Sequence, residues 1–157
     1  MTVSYTYIIT AGVIMLVAFS MAAVFFQQVN AIDYAAKRSA LSAAASHVLS
    51  GMWSAIEEAR LTQSGTELKS VAVGFPMRAE IGVSPRSGEL TLCVAAMGIT
   101  YERPLPRVPY VEYVPSGSGG DSVTILAELS GGRAAIKLVT IARDGSVITE
   151  EPSVCFR

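Results

Sequence analysis

The sequence begins with 32 residues, Met1–Ile32, that contain no charged side chain. Within them, Tyr7–Phe26 is almost entirely apolar and is interrupted only by Thr10, Gly12 and Ser20. Twenty residues of α-helix rise about 30 Å, which is the thickness of the apolar core of a lipid bilayer. A cleaved secretory signal would have a shorter apolar core with basic residues before it. The segment is therefore expected to lie in lipid or among other apolar helices.

The helical pattern continues beyond the apolar run. Residues Gln27–Thr62 are rich in Ala, contain no Pro and have Gly51 as their only glycine. Apolar residues recur there at spacings of three and four, which indicates a helix with one apolar face: Leu41, Ala45, Val48, Met52, Ile56 and Ala59. We predict one N-terminal helix over residues 1–63, with an apolar segment at 1–30 and an amphipathic segment at 31–63.

Four side chains of the amphipathic segment are predicted to pack the helix onto the domain that follows it. They combine large apolar surface with positions on or beside the apolar stripe: Val48, Met52, Trp53 and Ile56. Asn30 and Gly51 are the positions where the long helix is most easily bent.

Residues 66–157 have the pattern of a β domain. Met77–Val83 alternates apolar residues with Arg78 and Glu80, and Asp144-Gly145 is the strongest hairpin signal in the chain. Pro115–Gly120 is expected to form a flexible loop. Six or seven short strands over about 90 residues predict a small antiparallel β-sandwich. The predicted fold class is α+β, a long N-terminal helix followed by a β-sandwich head.

Composition and motifs argue against several classes of function. The net charge of −1 gives no electrostatic basis for binding nucleic acid. His47 is the only histidine, so a metal site or a histidine-based catalytic set is not expected. The sequence contains no glycine-rich phosphate-binding motif. We therefore predict a protein that is not an enzyme and has no cofactor.

The two cysteines, Cys93 and Cys155, lie 62 residues apart in two predicted strands. Their spacing fits neither a CxxC motif nor a zinc site. A disulfide in an oxidising compartment outside the cell is the preferred interpretation. The alternative is two buried free thiols.

The uncharged N-terminal helix, its amphipathic continuation and the C-terminal β domain together resemble a subunit of the type IV pilin family. The β head is more similar to the archaeal branch, which includes adhesion pilins, archaellum filament subunits and their accessory proteins. The opening residues Met1–Tyr5 resemble the start of a processed pilin, whose first residue is commonly apolar. Bacterial major pilins usually carry Glu at the fifth mature position, and Tyr5 departs from that pattern. A basic leader ending in Gly does not precede the run, so either the numbering starts at the mature residue or the helix is an uncleaved anchor.

The resemblance implies a structural subunit of an extracellular filament, which assembles through its N-terminal helix and serves adhesion or motility. The implied partners are other copies of the chain, the membrane before assembly, the pilus assembly machinery, and external surfaces or a surface layer. The residues expected to pack in the filament core combine small residues with large apolar ones: Ile8, Ala11, Gly12, Val13, Leu16, Ala18, Phe19, Ala22, Phe25 and Phe26. The alternative is a membrane-anchored accessory protein with an extracellular β-sandwich binding domain, of the archaellum stator or surface-layer-binding type.

Two sequence features bear on which side of the membrane the head lies. Lys37 and Arg38 follow the apolar run, and the positive-inside rule would place that side in the cytoplasm. The cysteine interpretation and the pilin resemblance place it outside. Because Asp33 balances part of the positive charge, we expect an extracellular head.

Glycosylation at asparagine is not expected on this chain. Asn30 is the only asparagine, and the next two residues are Ala31 and Ile32, so an N-x-Ser/Thr acceptor is lacking. Ser116 and Ser118 in the predicted loop are candidate sites for O-linked sugars.

Overall fold

The structure of the protein is a computed structural model that describes residues 2–62, 69–86, 88–130, 132–141 and 147–148. One long helix, α1 (Thr2–Thr62), precedes a sheet of mostly antiparallel strands. The predicted α+β class with a long N-terminal helix is therefore confirmed. The described strands are β1 (Lys69–Arg86), β2 (Glu89–Ala96), β3 (Ile99–Pro104), β4 (Val111–Tyr113), β5 (Ser116–Ser130), β6 (Arg133–Ile141) and β7 (Val147–Ile148).

The chain divides into two compact units, and the boundary lies inside α1. The N-terminal unit is Met1–Lys37, and the head unit is Arg38–Arg157. The second half of the helix thus belongs to the same unit as the sheet, because its apolar side chains lie in the core of the head. Removing the helix at the predicted domain boundary near residue 63 would remove part of that core.

The strands join in the order β3-β2-β1-β5-β6-β4, with β7 paired to β6. Most neighbours are antiparallel, as the sequence predicted, but β4 runs parallel to β6, with Val111 opposite Ala134. This short parallel strand follows the proline-rich segment 104–109, whose residues 105–108 lie outside any strand. Six of the described strands therefore form one hydrogen-bonded path, with β7 added beside β6, and α1 supplies the apolar layer against one face of this sheet.

The predicted loop at Pro115–Gly120 is wrong for all but its first residue. Ser116–Gly120 is the beginning of β5 and pairs with Ala79–Val83 of β1. Backbone pairing with a neighbouring strand compensates for the low β propensity of Gly and Ser. The Ser116 and Ser118 hydroxyls are satisfied within the sheet, which the local sequence pattern does not reveal.

The long strand β1 changes register against β5 between Gly74 and Ala79. Pro76 lies in this interval. Proline lacks the N–H that a sheet ladder needs, so it is found at edges and bulges rather than in regular pairing. The irregularity lets a single 18-residue strand pair in two separate stretches.

The core of the head unit is built from one stripe of α1 and one face of the sheet. On the helix, Leu41, Val48, Met52 and Ile56 are all at most 1% exposed. They belong to one apolar cluster with sheet residues Ile81, Val83, Leu92, Val94, Val123, Ile125, Ile136 and Leu138. A spacing of three and four residues places the helical members above one another, so they form a continuous surface on the sheet.

Trp53 differs from the other three residues predicted to pack the helix onto the head. It is 36% exposed, whereas Met52 beside it is 1% exposed. Consecutive helix residues point about 100° apart, so a residue next to a buried one points away from the centre of the stripe. The deep packing positions are therefore Val48, Met52 and Ile56, and Trp53 lies at the margin of the contact.

Contacts at the end of α1 also hold it to the head. The Arg60 guanidinium carbon lies 4.7 Å from the centroid of the Tyr110 ring, in the turn that precedes β4. Such cation–π contacts are favourable because the ring face carries partial negative charge.

The face of the sheet opposite the α1 core also holds buried residues. Cys93, Ala95, Thr124 and Val139 are between 0% and 8% exposed. Each alternates along its strand with a residue of the α1-facing cluster, as the two-residue period of a strand requires. The sheet thus buries side chains on both faces.

Candidate assembly surface

The apolar segment, defined here as residues 5–32 of α1, exposes its large apolar side chains. Their exposed fractions run from 43% at Val29 to 77% at Tyr7. Residues 13–17 are all exposed and all apolar. Because consecutive residues are about 100° apart, these five positions cover every side of the helix. Within the described residues, α1 is the one helix that is long and apolar enough to cross a membrane.

Two hydroxyl groups inside the apolar segment, those of Thr10 and Ser20, have hydrogen-bond acceptors on the helix itself. Thr10 Oγ1 donates to the Thr6 carbonyl oxygen, and Ser20 Oγ donates to the Leu16 carbonyl oxygen, both at 2.8 Å. Each bond reaches back four residues along the helix, as Ser and Thr commonly do in apolar helices. The segment can therefore be transferred out of water without leaving these two donors unpaired.

The ten residues predicted for a filament core all lie exposed on this segment. Four of them are small and leave gaps on the helix surface between the larger side chains: Ala11, Gly12, Ala18 and Ala22. A Cβ atom built at Gly12 would meet nothing within 4 Å. A side chain added at this position thus makes no contact within the single chain. It would clash only with a neighbouring molecule that packs closely against Gly12.

The first charges after the segment neutralise one another. Lys37 Nζ lies 2.5 Å from Asp33 Oδ2, one helical turn away. Both side chains are partly exposed, so the pair adds little to stability.

A groove on the head unit contains the partly exposed tryptophan. Its volume is about 710 Å³, and it is lined by Ser46, Leu49, Ser50, Trp53, Arg103, Pro104, Leu105 and Pro106. Arg103 donates to Ser46 Oγ at 3.2 Å, which joins the end of β3 to the helix. The sequence analysis missed Arg103 and the prolines as neighbours of Trp53, because the contact is between residues about 50 positions apart.

The candidate O-glycosylation sites are not supported by the structure. Ser116 and Ser118 are each 3% exposed. Ser116 Oγ donates to the Val114 carbonyl and accepts from the Leu138 N–H, and Ser118 Oγ lies 2.7 Å from Thr140 Oγ1. A sugar could not reach either oxygen without breaking these bonds, so both assignments are corrected.

Of the two cysteines, one lies among the described residues. Cys93 is 1% exposed in β2, and it is not a free thiol. Cys155 lies outside the described residues, so the Cys93–Cys155 pairing stays a prediction.

Nothing in the described part of the chain gathers three His, Cys, Asp or Glu side chains around a possible metal position. His47 is exposed on α1.

Burial, with a smaller contribution from neighbouring Tyr110, raises the pKa of Tyr113 above its usual value. The Tyr113 hydroxyl therefore keeps its proton at neutral pH and cannot serve as a base there.

Comparisons with protein-family models, with curated proteins and with solved structures find no match for this chain. The exposed apolar segment and the compact head unit are thus the two features from which a function can be inferred.

Proposed function

We propose that the protein is a non-catalytic structural subunit of an extracellular, type IV pilus-like filament of the archaeal kind. The apolar segment would hold the subunit in the membrane before assembly and would then pack against the same segment of other copies. The observation that carries this proposal is an exposed apolar helix, uncharged through Ile32 and joined without a break to a head that forms its own compact unit.

The size of the exposed apolar surface supports burial in one of these two environments. Complete burial of a Leu, Ile or Phe side chain is worth roughly 1.5–3 kcal/mol. Ile8, Leu16, Phe19, Phe25 and Phe26 are each at least 63% exposed. Burying these five residues alone would contribute about 5–10 kcal/mol when scaled by their exposed fractions.

The small residues favour helix packing over simple contact with lipid. Lipid tails adapt to any apolar surface, so a helix that only anchors a protein in the membrane needs no small residues on its surface. Close approach of two helices does need them, because small side chains allow the backbones and larger neighbours to interlock. Ala11, Gly12, Ala18 and Ala22 supply such positions on the apolar segment.

The head would face the outside of the cell, where it would serve adhesion or motility. The further partners under this proposal are the pilus assembly machinery and the surface that the filament contacts. The support for this orientation is the predicted disulfide, because disulfides form in oxidising compartments outside the cell.

Mechanical shearing of cells tests the proposal directly. We expect the chain in the sheared surface fraction, and electron microscopy of that fraction should show thin filaments labelled by an antibody against the head. An anchored accessory protein would stay with the membranes and leave the sheared fraction unlabelled, which would contradict filament assembly.

A disulfide between Cys93 and Cys155 is a second expectation of an extracellular head. Mass spectrometry of unreduced protein should find the chain two hydrogens lighter and a peptide that joins the two cysteines. In the chain-entropy model, a loop of about 60 residues contributes roughly 4 kcal/mol to the free energy of unfolding. Two alkylatable thiols in freshly isolated protein would contradict both the bridge and its support for an extracellular head.

A further inference from the structure

The Trp53 groove of the head unit has two walls of different chemistry. One wall is the flank of α1 that carries Ser46, Ser50 and Trp53, whose spacing of four and three residues places them above one another. The other wall is the chain from Arg103 to Pro106, at the end of β3. The groove volume of about 710 Å³ lies within the range of about 300–1,000 Å³ that is typical of small-molecule sites.

Arg103 brings to the groove a positive charge that the described part of the chain does not neutralise. Its guanidinium donates a hydrogen bond to Ser46 Oγ at 3.2 Å. None of the ion pairs between the described residues includes Arg103, and the neighbouring Glu102 pairs with Arg86 instead. A guanidinium has several N–H donors in a planar fork that matches the two oxygens of a carboxylate. This end of the groove therefore suits a carboxylate.

Trp53 supplies a flat apolar surface further along the groove. Its side chain is partly exposed, so a ligand can reach the indole ring. The face of an aromatic ring carries partial negative charge and attracts C–H bonds, which are slightly positive. One face of a sugar ring consists of such C–H bonds and can stack on the indole. Ser46, which contacts Arg103, and Trp53 are about 10 Å apart along the helix axis, which is close to the length of a disaccharide.

The proline segment at the second wall offers hydrogen-bond acceptors and lacks backbone donors. Pro104 and Pro106 have no N–H group. The Leu105 N–H already donates to the Leu90 carbonyl oxygen at 2.9 Å. The carbonyl oxygens of Leu105 and Pro106 accept no hydrogen bond from the described residues. Hydroxyl groups on a ligand can donate to such carbonyls, and Ser50 adds a hydroxyl on the helix side.

We propose that the Trp53 groove binds an acidic disaccharide unit, with a uronic acid carboxylate at Arg103 and a sugar ring stacked on Trp53. A neutral sugar would make no use of the Arg103 charge. A carboxylate without a sugar ring would use neither the face of Trp53 nor the carbonyl acceptors of the proline segment. The groove lies entirely within the head unit, so the inference does not depend on filament assembly.

The fluorescence of Trp53 reports binding at this groove, because Trp53 is the only tryptophan in the chain. The full-length chain, in a detergent without sugar such as lauryldimethylamine oxide, is titrated with digalacturonate, which should change the emission in a saturable way. The matched probes are galabiose, which has the same rings and linkage without carboxylates, and adipate, a dicarboxylate without hydroxyl groups. Because the groove is open to water, we expect each probe to bind about fivefold or more weakly than digalacturonate.

Protein variants, measured by calorimetry, locate the binding. Arg103→Gln should weaken digalacturonate binding about fivefold or more and leave galabiose binding nearly unchanged. Trp53→Ala should weaken the binding of both sugars, because it removes the stacking surface. Arg133→Gln, an exposed position on β6 outside the groove, changes the net charge equally and should bind as the parent chain does.

Several results would overturn the proposal. They are no saturable change with digalacturonate, equal binding of galabiose or adipate, and full digalacturonate binding by Arg103→Gln or by Trp53→Ala. Both substituted side chains are exposed, so the variants should fold, which circular dichroism checks. Equal weakening by Arg133→Gln and Arg103→Gln would also overturn it, because binding would then follow net charge rather than the groove.

Discussion

Val13→Glu abolishes filaments and leaves the head folded, if copies of the apolar segment pack together as proposed. Val13 is 58% exposed in the single chain, so the substitution disturbs no internal packing. In an assembled core the carboxylate would be buried without a partner, which costs about 3–5 kcal/mol at each site. Electron microscopy of sheared material measures the loss, and circular dichroism of the purified chain checks the head.

Val13→Leu is the matched control, because it changes the side chain's shape while keeping it apolar. It should assemble as the parent chain does. Ala18→Asp should fail in the same way as Val13→Glu. Normal filaments from either charged variant would contradict the assignment of residues 1 to about 30 to a water-free core.

Gly12→Leu separates packing between helices from burial in lipid. The added side chain has open space in the single chain and is compatible with a bilayer, so membrane insertion should be unchanged. If neighbouring helices approach closely at Gly12, the same side chain keeps them apart and filaments are lost. Filaments of normal yield would show that Gly12 does not lie at a close helix contact.

We expect a chain that begins at Arg38 to fold as a soluble domain and one that begins at Thr66 not to fold. The shorter chain lacks Leu41, Val48, Met52 and Ile56, each at most 1% exposed in the head core. At roughly 1.5–3 kcal/mol for each side chain, the loss exceeds about 6 kcal/mol. That is comparable with the total stability of about 5–15 kcal/mol of a typical domain. Thermal melts followed by circular dichroism distinguish the two chains, and equal melting temperatures would mean that the helix does not stabilise the sheet.

Point substitutions at neighbouring positions make the same test within the chain that begins at Arg38. Met52→Ala should lower the free energy of unfolding by about 2–5 kcal/mol, because it leaves a cavity in the core. Trp53→Ala, at a position that is 36% exposed, should cost less, about 1–2 kcal/mol when the burial value is scaled by the buried fraction. A larger loss at Trp53 than at Met52 would contradict the observed placement of the helix on the sheet.

The features of α1 that repeat along the chain could be predicted from the sequence. The absence of charge through Ile32 and the spacing of Leu41, Val48, Met52 and Ile56 identify the exposed and buried parts of one helix. Trp53, which was also predicted to pack the helix onto the head, is 36% exposed and lies at the margin of that contact, in the groove with Pro104 and Leu105. Periodicity thus identifies the fully buried stripe, whereas the surroundings of a residue beside the stripe depend on the sheet.

Features that depend on contacts between distant residues were not predictable. Pro115–Gly120 has the composition of a loop, and only its pairing with Ala79–Val83 makes most of it a strand. The parallel pairing of β4 with β6 has no local signal. A cavity in the sheet was predictable only in part: the alternation in β1 placed Arg78 and Glu80 on one face of that strand, but the sheet brings Gly98 and Gly119 to them.

The hydrogen bonds that Thr10 and Ser20 make within α1 bear on whether assembly can be reversed. At these two positions, the helix can exchange one apolar environment for another without breaking a hydrogen bond. Under the proposed assembly, these two hydroxyls would therefore contribute little to the free-energy difference between the membrane-held and the assembled subunit. If the proposed filament disassembles, a released subunit could then return to the bilayer with the hydrogen bonds of Thr10 and Ser20 intact.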